Sequence, residues 1–444
     1  MSYLPLTDGE RKTMLSMMGY SSIDQLFTDA GLSEKVKLGL GESMSEAEVS
    51  AHITKMAGEI TSPVVSFAGA GAYDHLIPSV INHLTSRAEF YTAYTPYQPE
   101  ISQGTLQAIY EYQTMICELS AMDVANASMY DGGSALAESA LLSLRATNRK
   151  RILLAESIHP RYREVLHTYL SGLDAEIISI PFDQKTGMVD TACIERNSDG
   201  SSAMLLQNPN FFGVVEESAP RMAELIHRTG GLFIVSADPI SLGIMEAPGN
   251  YGADIYTAEG QGLGTPLSFG GPYLGIMAGK TNLERNMPGR LVGRTTDSAG
   301  RTGYVLTLQT REQHIRRQKA TSNICSNQAL VALSANIFLA LLGKEGIYEL
   351  ALQNLAKAEY AKRKLKEKGL RLCFSGANFN EFVVELPVTS AKVYKDLSKQ
   401  GVVPGITLDR WYPQLKKHLL VCVTEKKTKA EIDRLADLLG RLVK

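Results

Sequence analysis

Lysine is missing from a long stretch in the middle of this chain. None occurs between Lys185 and Lys280 in a sequence of 444 residues. Chemistry that needs a primary amine from that stretch, such as Schiff-base formation, is therefore excluded there. Cysteine is sparse as well. Cys117, Cys193, Cys325, Cys373 and Cys422 lie far apart with no Cys-x-x-Cys pair. That argues against a zinc site and a disulfide framework, and fits a reducing cytosol. Charge of either sign is not in excess: the formal net value is -2. Nothing electrostatic points to nucleic acid or to an anionic membrane. A long apolar run is lacking too. The longest, Ala329 to Leu342, is interrupted by Ser334 and Asn336. It falls short of the roughly 20 residues that span a bilayer and reads as a buried helix. The first residues, Met1 to Asp8, have neither the basic start nor the apolar core of a signal peptide. The expectation is a soluble, cytoplasmic protein. Hydrophobic residues at 44% and charged residues at 21% are ordinary for such a chain. Its length calls for a large domain plus one or two smaller ones.

The lysine-free stretch has a definite order. An apolar run, Leu232 to Ala237, leads into Asp238. A second run, Asp254 to Thr257, is followed by Gly260-Gln261-Gly262 and then by Gly270-Gly271-Pro272. Each run reads as a short buried strand ending in a loop. Many enzymes that use pyridoxal phosphate (PLP) show this order. Their first strand delivers an Asp to the pyridinium nitrogen, and their second delivers the lysine of the Schiff base. Here Gln261 stands where the lysine belongs, and an amide nitrogen is not nucleophilic. Taken alone, Gly260 to Gly271 is equally a flexible turn between strands.

Residues up to Ile60 read as helices with short breaks. Ser45 and Glu48 form a capping box, followed by Val49, Ile53, Met56 and Ile60 at helical spacing. This segment is taken as an arm that packs against something, a partner chain included. The glycines in Val64 to His75 do not make a dinucleotide fingerprint, because Asp74 stands at the third position. Glu89 to Gly104 holds three tyrosines (Tyr91, Tyr94, Tyr97) and two prolines (Pro96, Pro99). It reads as a stiff loop displaying phenols, either packed on the surface or forming a ligand or interface rim. Gly132-Gly133-Ser134 opens a helix, which suits an anion, although an ordinary capped turn explains it equally well.

From Ile152 onward, apolar strands (Ile152 to Ala155, Ile177 to Ile180, Met204 to Gln207, Leu232 to Ala237) alternate with helices. This predicts a mostly parallel sheet covered on both faces. His159 follows the first of these strands, where PLP enzymes often stack an aromatic ring on the cofactor; a lone His is more often a cap. The run Thr310 to Lys319 is rich in charge and reads as a solvated face or an interface. Beyond Ala329, two helices lead into strands at Glu381 to Leu386 and Leu419 to Val423. Further helices follow at Ala391 to Lys399 and Thr428 to Leu442.

Three long motifs add a more specific signal: Tyr94-Thr95-Pro96-Tyr97-Gln98-Pro99-Glu100-Ile101-Ser102-Gln103-Gly104, Met122 to Ser128, and Thr310 to Arg317 continuing through Ala320 to Cys325. In these motifs the chain resembles the glycine cleavage system P-protein, and within that family the alpha subunit of its two-subunit bacterial form. The similarity runs over nearly the whole length.

The resemblance implies an α/β fold of the aspartate aminotransferase-like PLP-transferase class, fold type I. It would comprise an N-terminal helical arm (1–60), a large mostly parallel sheet domain (61–328) and a smaller C-terminal α+β domain (329–444). It implies a subunit of glycine dehydrogenase (decarboxylating) that carries no covalent PLP. The PLP sits on a beta subunit, and the two form an α2β2 assembly. The assembly decarboxylates glycine and passes the aminomethyl group to the lipoyl arm of the H-protein. On this pattern Gly132, Gly133, Ser134, His159, Asp238 and Gln261 map a remnant cofactor pocket, and no metal site is expected. Tyr94 and Tyr97, and the run Arg311 to Arg317, are candidates lent to the partner's site. The competing reading is a non-catalytic scaffold that stabilises the beta subunit or docks the H-protein.

Overall fold

The computed structural model describes residues 6–32, 38–60, 65–324 and 326–443. The chain forms two compact units, Met1–Ser62 and Pro63–Lys444. Among the described residues, the first contains three helices, Asp8–Met17, Ile23–Asp29 and Glu46–Glu59. The capping box predicted at Ser45 and Glu48 is formed. On its last helix Val49, Ile53 and Met56 are exposed, as is Ile60 just beyond, so the expected apolar stripe stands uncovered.

The second unit is built on a seven-stranded sheet. Its strands are β1 (Val124–Ala125), β2 (Arg151–Ala155), β3 (Glu176–Ile180), β4 (Ser201–Gln207), β5 (Leu232–Ser236), β6 (Ile255–Glu259) and β7 (Gly275–Gly279). Their spatial order is β1-β7-β6-β5-β4-β2-β3. From β6 across to β3 all neighbours run parallel. β7 turns back antiparallel on β6, and β1 pairs antiparallel with β7. The near-continuous apolar sequence of β5 follows from this position, because Phe233, Ile234 and Val235 are fully buried between layers on both faces. Gln207, Ser236 and Thr257 stand in register at the carboxyl ends of β4, β5 and β6. In open α/β sheets the ligand crevice lies outside such ends. Asp238 and Glu259 sit there.

A second, four-stranded sheet is antiparallel and includes Glu381–Glu385 and His418–Cys422. Helices Ser390–Ser398 and Lys429–Gly440 accompany it, and the capping box of Thr428 and Glu431 is formed. The two helices expected after Ala329 are present within the span Ala329–Glu367, separated by a kink at Gly343 (φ 60°, ψ -170°). By length and composition this span could cross a membrane. Its burial gives another account of the hydropathy. Ala335 and Phe338 lie in the core under the large sheet, and Ala358, Ala361 and Leu365 lie in the core of the small one. The second of the two helices serves both cores, with Ile347 and Ala351 in the large one and Ala358, Ala361 and Leu365 in the small one. The glycine-bearing segment after Val64 (itself outside the described residues) has only the short strand Val65–Ser66, paired with Val402–Val403. The dinucleotide-binding reading fails there for want of a strand-to-helix turn.

Candidate functional site

Asp238 follows β5 by two residues. Its Oδ1 accepts the Ile240 N–H at 3.0 Å, and its Oδ2 is buried without a hydrogen-bond partner. Burial raises the carboxyl's pKa against the pull of His75. Of the groups around the pocket, this orphaned oxygen suits the N–H of a pyridinium ring.

Gln261 lies just beyond β6 and is 1% exposed. Its side-chain Nε2 donates to Thr265 O at 2.7 Å and Tyr73 O at 3.1 Å, and its Oε1 accepts the Tyr73 N–H at 2.8 Å. An amide carries both a donor and an acceptor, so it can hold both sides of one residue's backbone; an ammonium has only donors. The residue expected at the lysine position therefore acts as a clamp on the segment Gly69 to His75.

That segment is pinned at further points. Glu381 Oε1 accepts the Ala70 N–H at 2.7 Å, and its Oε2 accepts the Tyr73 hydroxyl at 2.8 Å. The ring of His159 caps the helix Pro160–Leu170. Its Nδ1 accepts the Arg161 N–H at 3.1 Å, so the ring proton sits on Nε2 and donates to Ala70 O at 2.8 Å. Burial pushes this imidazole down to about 4, which keeps it neutral. His159 stacks on Tyr162, with centroids 4.7 Å apart, so one of its faces is already covered. The chain presses so closely here that a Cβ on Gly71 (φ +92°) would meet the His159 ring at 3.0 Å.

The helix start at Gly132 is filled in the same way. Asp131 caps it, with Oδ1 accepting the Ser134 N–H at 2.7 Å. Glu259 Oε2 accepts the Gly132 N–H at 3.0 Å, and its Oε1 accepts from the Gln261 and Leu274 amides, also at 3.0 Å. A Cβ on Gly132 would strike the Tyr162 hydroxyl, and one on Gly133 would meet the same ring at 3.3 Å. The amide donors that would cradle a phosphate thus serve the protein's own carboxylates. A phosphate brought within about 4 Å of an ionised carboxylate would meet repulsion of about 4 kcal/mol per unit charge at the effective dielectric of a partly buried site. Burial pushes Glu259 and Glu381 each up to about 7. The space left among Tyr73, His159, Tyr162, Asp238, Glu259 and Glu381 is about 30 Å³, room for a water or two.

The six residues mapped from the sequence come into one neighbourhood, joined through Glu259, Tyr162 and Tyr73. They do not fit PLP. Asp238 suits the ring nitrogen, but there is no amine, the phosphate cradle is occupied and the ring has no space. Among the described residues no group of three or more His, Cys, Asp or Glu side chains could hold a metal ion. Tyr73, Tyr162, Glu259 and Glu381 escaped sequence reasoning. Glu259 carried a signal, being an acid that ends a buried strand just before Gly260-Gln261. Glu381 carried none, since it acts on Ala70 from the far side of the sequence.

The tyrosine loop is different in kind. Tyr94 is 82% exposed and lines a cavity of about 180 Å³ with Tyr91, Tyr112, Arg290, Leu306 and Leu330. Tyr97 is half-exposed. Its hydroxyl accepts from Arg290 Nη2 at 3.2 Å, and the guanidinium lies over its ring at 5.6 Å. Arg290 also faces Glu312 at 3.8 Å, and His314 packs edge-on against Tyr97 at 5.8 Å. The tyrosine loop and the charged run, separate candidates in the sequence, meet at Arg290. Within the charged run Arg311 is buried and donates to Leu308 O and Gly289 O. Cys325, at the end of that motif, lies outside the described residues.

Comparison with known proteins gives the setting. The family model for the glycine cleavage system P-protein matches residues 1–439. The probable glycine dehydrogenase (decarboxylating) subunit 1 of Carboxydothermus hydrogenoformans is 50% identical over 445 residues, covering 99% of each chain. A crystal structure of glycine decarboxylase (P-protein) in inhibitor-bound form superimposes with a TM-score of 0.90 at 40% identity, over 100% of both chains. A sphingosine-1-phosphate lyase from Burkholderia pseudomallei, 15% identical, matches with a TM-score of 0.66 over 93% of this chain and 94% of its own, which places the fold in the type I class of PLP enzymes. With a match along nearly its whole length in both sequence and structure, this chain belongs to the glycine cleavage system P-protein family.

Proposed function

We propose that this chain is the PLP-free subunit of a two-subunit glycine dehydrogenase (decarboxylating) working in the cytoplasm. Together with a homologous second subunit in an α2β2 assembly, it decarboxylates glycine and transfers the aminomethyl group to the lipoyl arm of the H-protein. The cofactor belongs to the second subunit, whose lysine holds it and where it supplies the electron sink for decarboxylation. The observation that carries this reading is the clamp of Gln261 on the Tyr73 backbone, inside a pocket already filled by Glu259 and Tyr162.

This chain's part is then to shape the partner's site. Tyr94 and Tyr97 are the residues we assign to it. Arg290 fixes the Tyr97 phenol from one side and leaves part of its ring exposed. The Tyr94 phenol faces outward, free to donate or accept toward a substrate held by another chain. Exposed Tyr91 and Ile101 near it provide apolar surface of the kind an obligate interface buries.

The test is co-expression with the second subunit, followed by size-exclusion chromatography and a glycine–CO2 exchange assay. A single hetero-oligomer peak is expected, with exchange activity that neither subunit shows alone. Two separate peaks at micromolar concentration, or full activity of the second subunit by itself, would contradict the proposal. If Tyr94→Phe and Tyr97→Phe leave both assembly and turnover unchanged, the chain is a scaffold and its tyrosine loop is structural.

A further inference from the structure

The charged run that carries part of the family resemblance builds a feature that the proposed function does not use. Arg285, Arg311, Arg316 and Lys319 line one cavity of about 250 Å³ together with the hydroxyl-bearing Thr310 and Thr321. The cations come from three separate elements: the turn Thr281–Asn286, the helix Gln313–Arg316 and the turn Arg317–Lys319, with Arg311 preceding the last two. Among the described residues, no carboxylate lines the cavity. Glu312, next to Arg311 in sequence, faces Arg290 and His314 instead.

Four like charges around one space repel one another, and nothing in the lining offsets them. Arg311 is held rigidly, spending Nε on Leu308 O and Nη2 on Gly289 O. Arg316 spends only Nε, on Thr310 O at 3.1 Å, so both of its terminal nitrogens keep their donors. The backbone of the segment is strained at both ends. Leu308 and Arg317 adopt positive φ of 52° each, a conformation that costs a non-glycine residue of order 1 kcal/mol or more and that tends to persist where side chains must be held in place.

We propose that this cavity is an anion site for a phosphoryl group, a phosphate monoester or inorganic phosphate. A dianion with three or four acceptor oxygens matches several converging cationic donors and two hydroxyls better than a single carboxylate does. Binding would tie the segment Leu308 to Thr321 to the turn at Arg285.

The test titrates potassium phosphate into the full chain by isothermal calorimetry, with potassium chloride and potassium malonate at matched ionic strength as controls. Amide hydrogen exchange of residues 308–321 is followed in parallel. Saturable heat with phosphate alone is expected, together with slowed exchange across the segment. Arg316→Ala with Lys319→Ala should weaken the binding at least about tenfold, the loss expected for one or two charge-assisted hydrogen bonds. Both side chains are exposed, so the fold should survive; Arg285→Ala, tested alone, gives an independent check with the same expected direction. Equal heats with malonate would overturn the phosphoryl assignment. Phosphate binding that ignores all of these substitutions, or no saturable phosphate binding at all, would overturn the site.

Discussion

The pocket at the carboxyl ends of β5 and β6 and the tyrosine loop at Tyr91 to Gln103 are opposite in almost every physical respect. In the pocket, polar groups are buried and largely saturated from within the chain. Gln261, His159, Glu259 and Glu381 each bond to backbone a long way off in sequence. In the loop, Tyr94 and Ile101 are more than four-fifths exposed, and large apolar side chains face solvent with nothing over them. A chain that used its own pocket would need space and unspent hydrogen bonds there; this one has them at the loop. On the proposed function, the comparison teaches that a catalytic fold can be kept while the chemistry moves to another chain. What identifies the change is where donors and acceptors have been spent.

The sharpest way to break the contrast is to restore the missing amine. In Gln261→Lys the Tyr73 N–H loses its acceptor, and a buried ammonium must shed its charge or pair with Glu259. We expect a loss of about 2–4 kcal/mol, read as a fall in melting temperature, with no decarboxylation by the isolated variant supplied with PLP and lipoylated H-protein. Activity approaching that of the natural complex would show that the pocket is intact.

Gly132→Ala probes the filled cradle with a single methyl. Because that methyl strikes the Tyr162 ring and crowds Glu259, it should destabilise the chain by about 1–3 kcal/mol. An open phosphate cup would accept it at almost no cost, and an unchanged denaturant midpoint would say so.

The buried carboxyls give the pocket a pH signature. Glu259 and Glu381 in the pocket, and Glu216 outside it where it accepts from Asn210 and the Val189 amide, are each pushed from 4.5 up to about 7 by burial. Between those values the folded chain keeps protons that the unfolded chain releases, so their contribution to stability falls as pH rises through the window and levels off above it. His159, held near 4 rather than 6.5, opposes them, because between those values the unfolded chain takes up a proton that the folded one refuses. Asp238, also raised by burial, adds to the fall, His418, lowered by burial, opposes it, and the carboxyls prevail, so thermal stability should decline from pH 5 to pH 7.5. Glu381→Gln should flatten the slope, with a gain of about 1–2 kcal/mol at the upper end relative to the lower, at about 1.4 kcal/mol per pKa unit discounted for the altered bond to Tyr73. A variant with the parent's slope would place the effect elsewhere.

The smallest effect belongs to the other region. Tyr94→Phe should leave the isolated chain within about 0.5 kcal/mol of the parent, while glycine–CO2 exchange by the assembled complex drops. A stability loss without any change in exchange would reverse the roles assigned to the two regions.

Much of this was legible in the sequence. The alternation of apolar strands and helices gave the parallel sheet because a strand buried on both faces cannot alternate polar and apolar residues. The capping boxes at Ser45 and Thr428 were legible because a cap is local, decided within four residues. Asp238 and Gln261 were legible as candidate pocket residues because they follow directly on buried strands. What Gln261 does was not. Its partner Tyr73 is 188 positions away, and no spacing rule reaches that far. The filling of the cradle by Glu259 was hidden for the same reason: the identity of a pocket-lining acid says nothing about whether it points into a helix start. The two helices within Ala329–Glu367 were legible because glycines at 343 and 346 read as a break, and the chain kinks at Gly343.

The most direct test of the central claim is a titration of the isolated chain with pyridoxal 5′-phosphate, followed by borohydride reduction and peptide mass spectrometry. A chain whose pocket is filled from within should show no internal-aldimine absorption and no stoichiometric reduced adduct on any lysine. One equivalent of reduced cofactor on a single lysine would contradict the account.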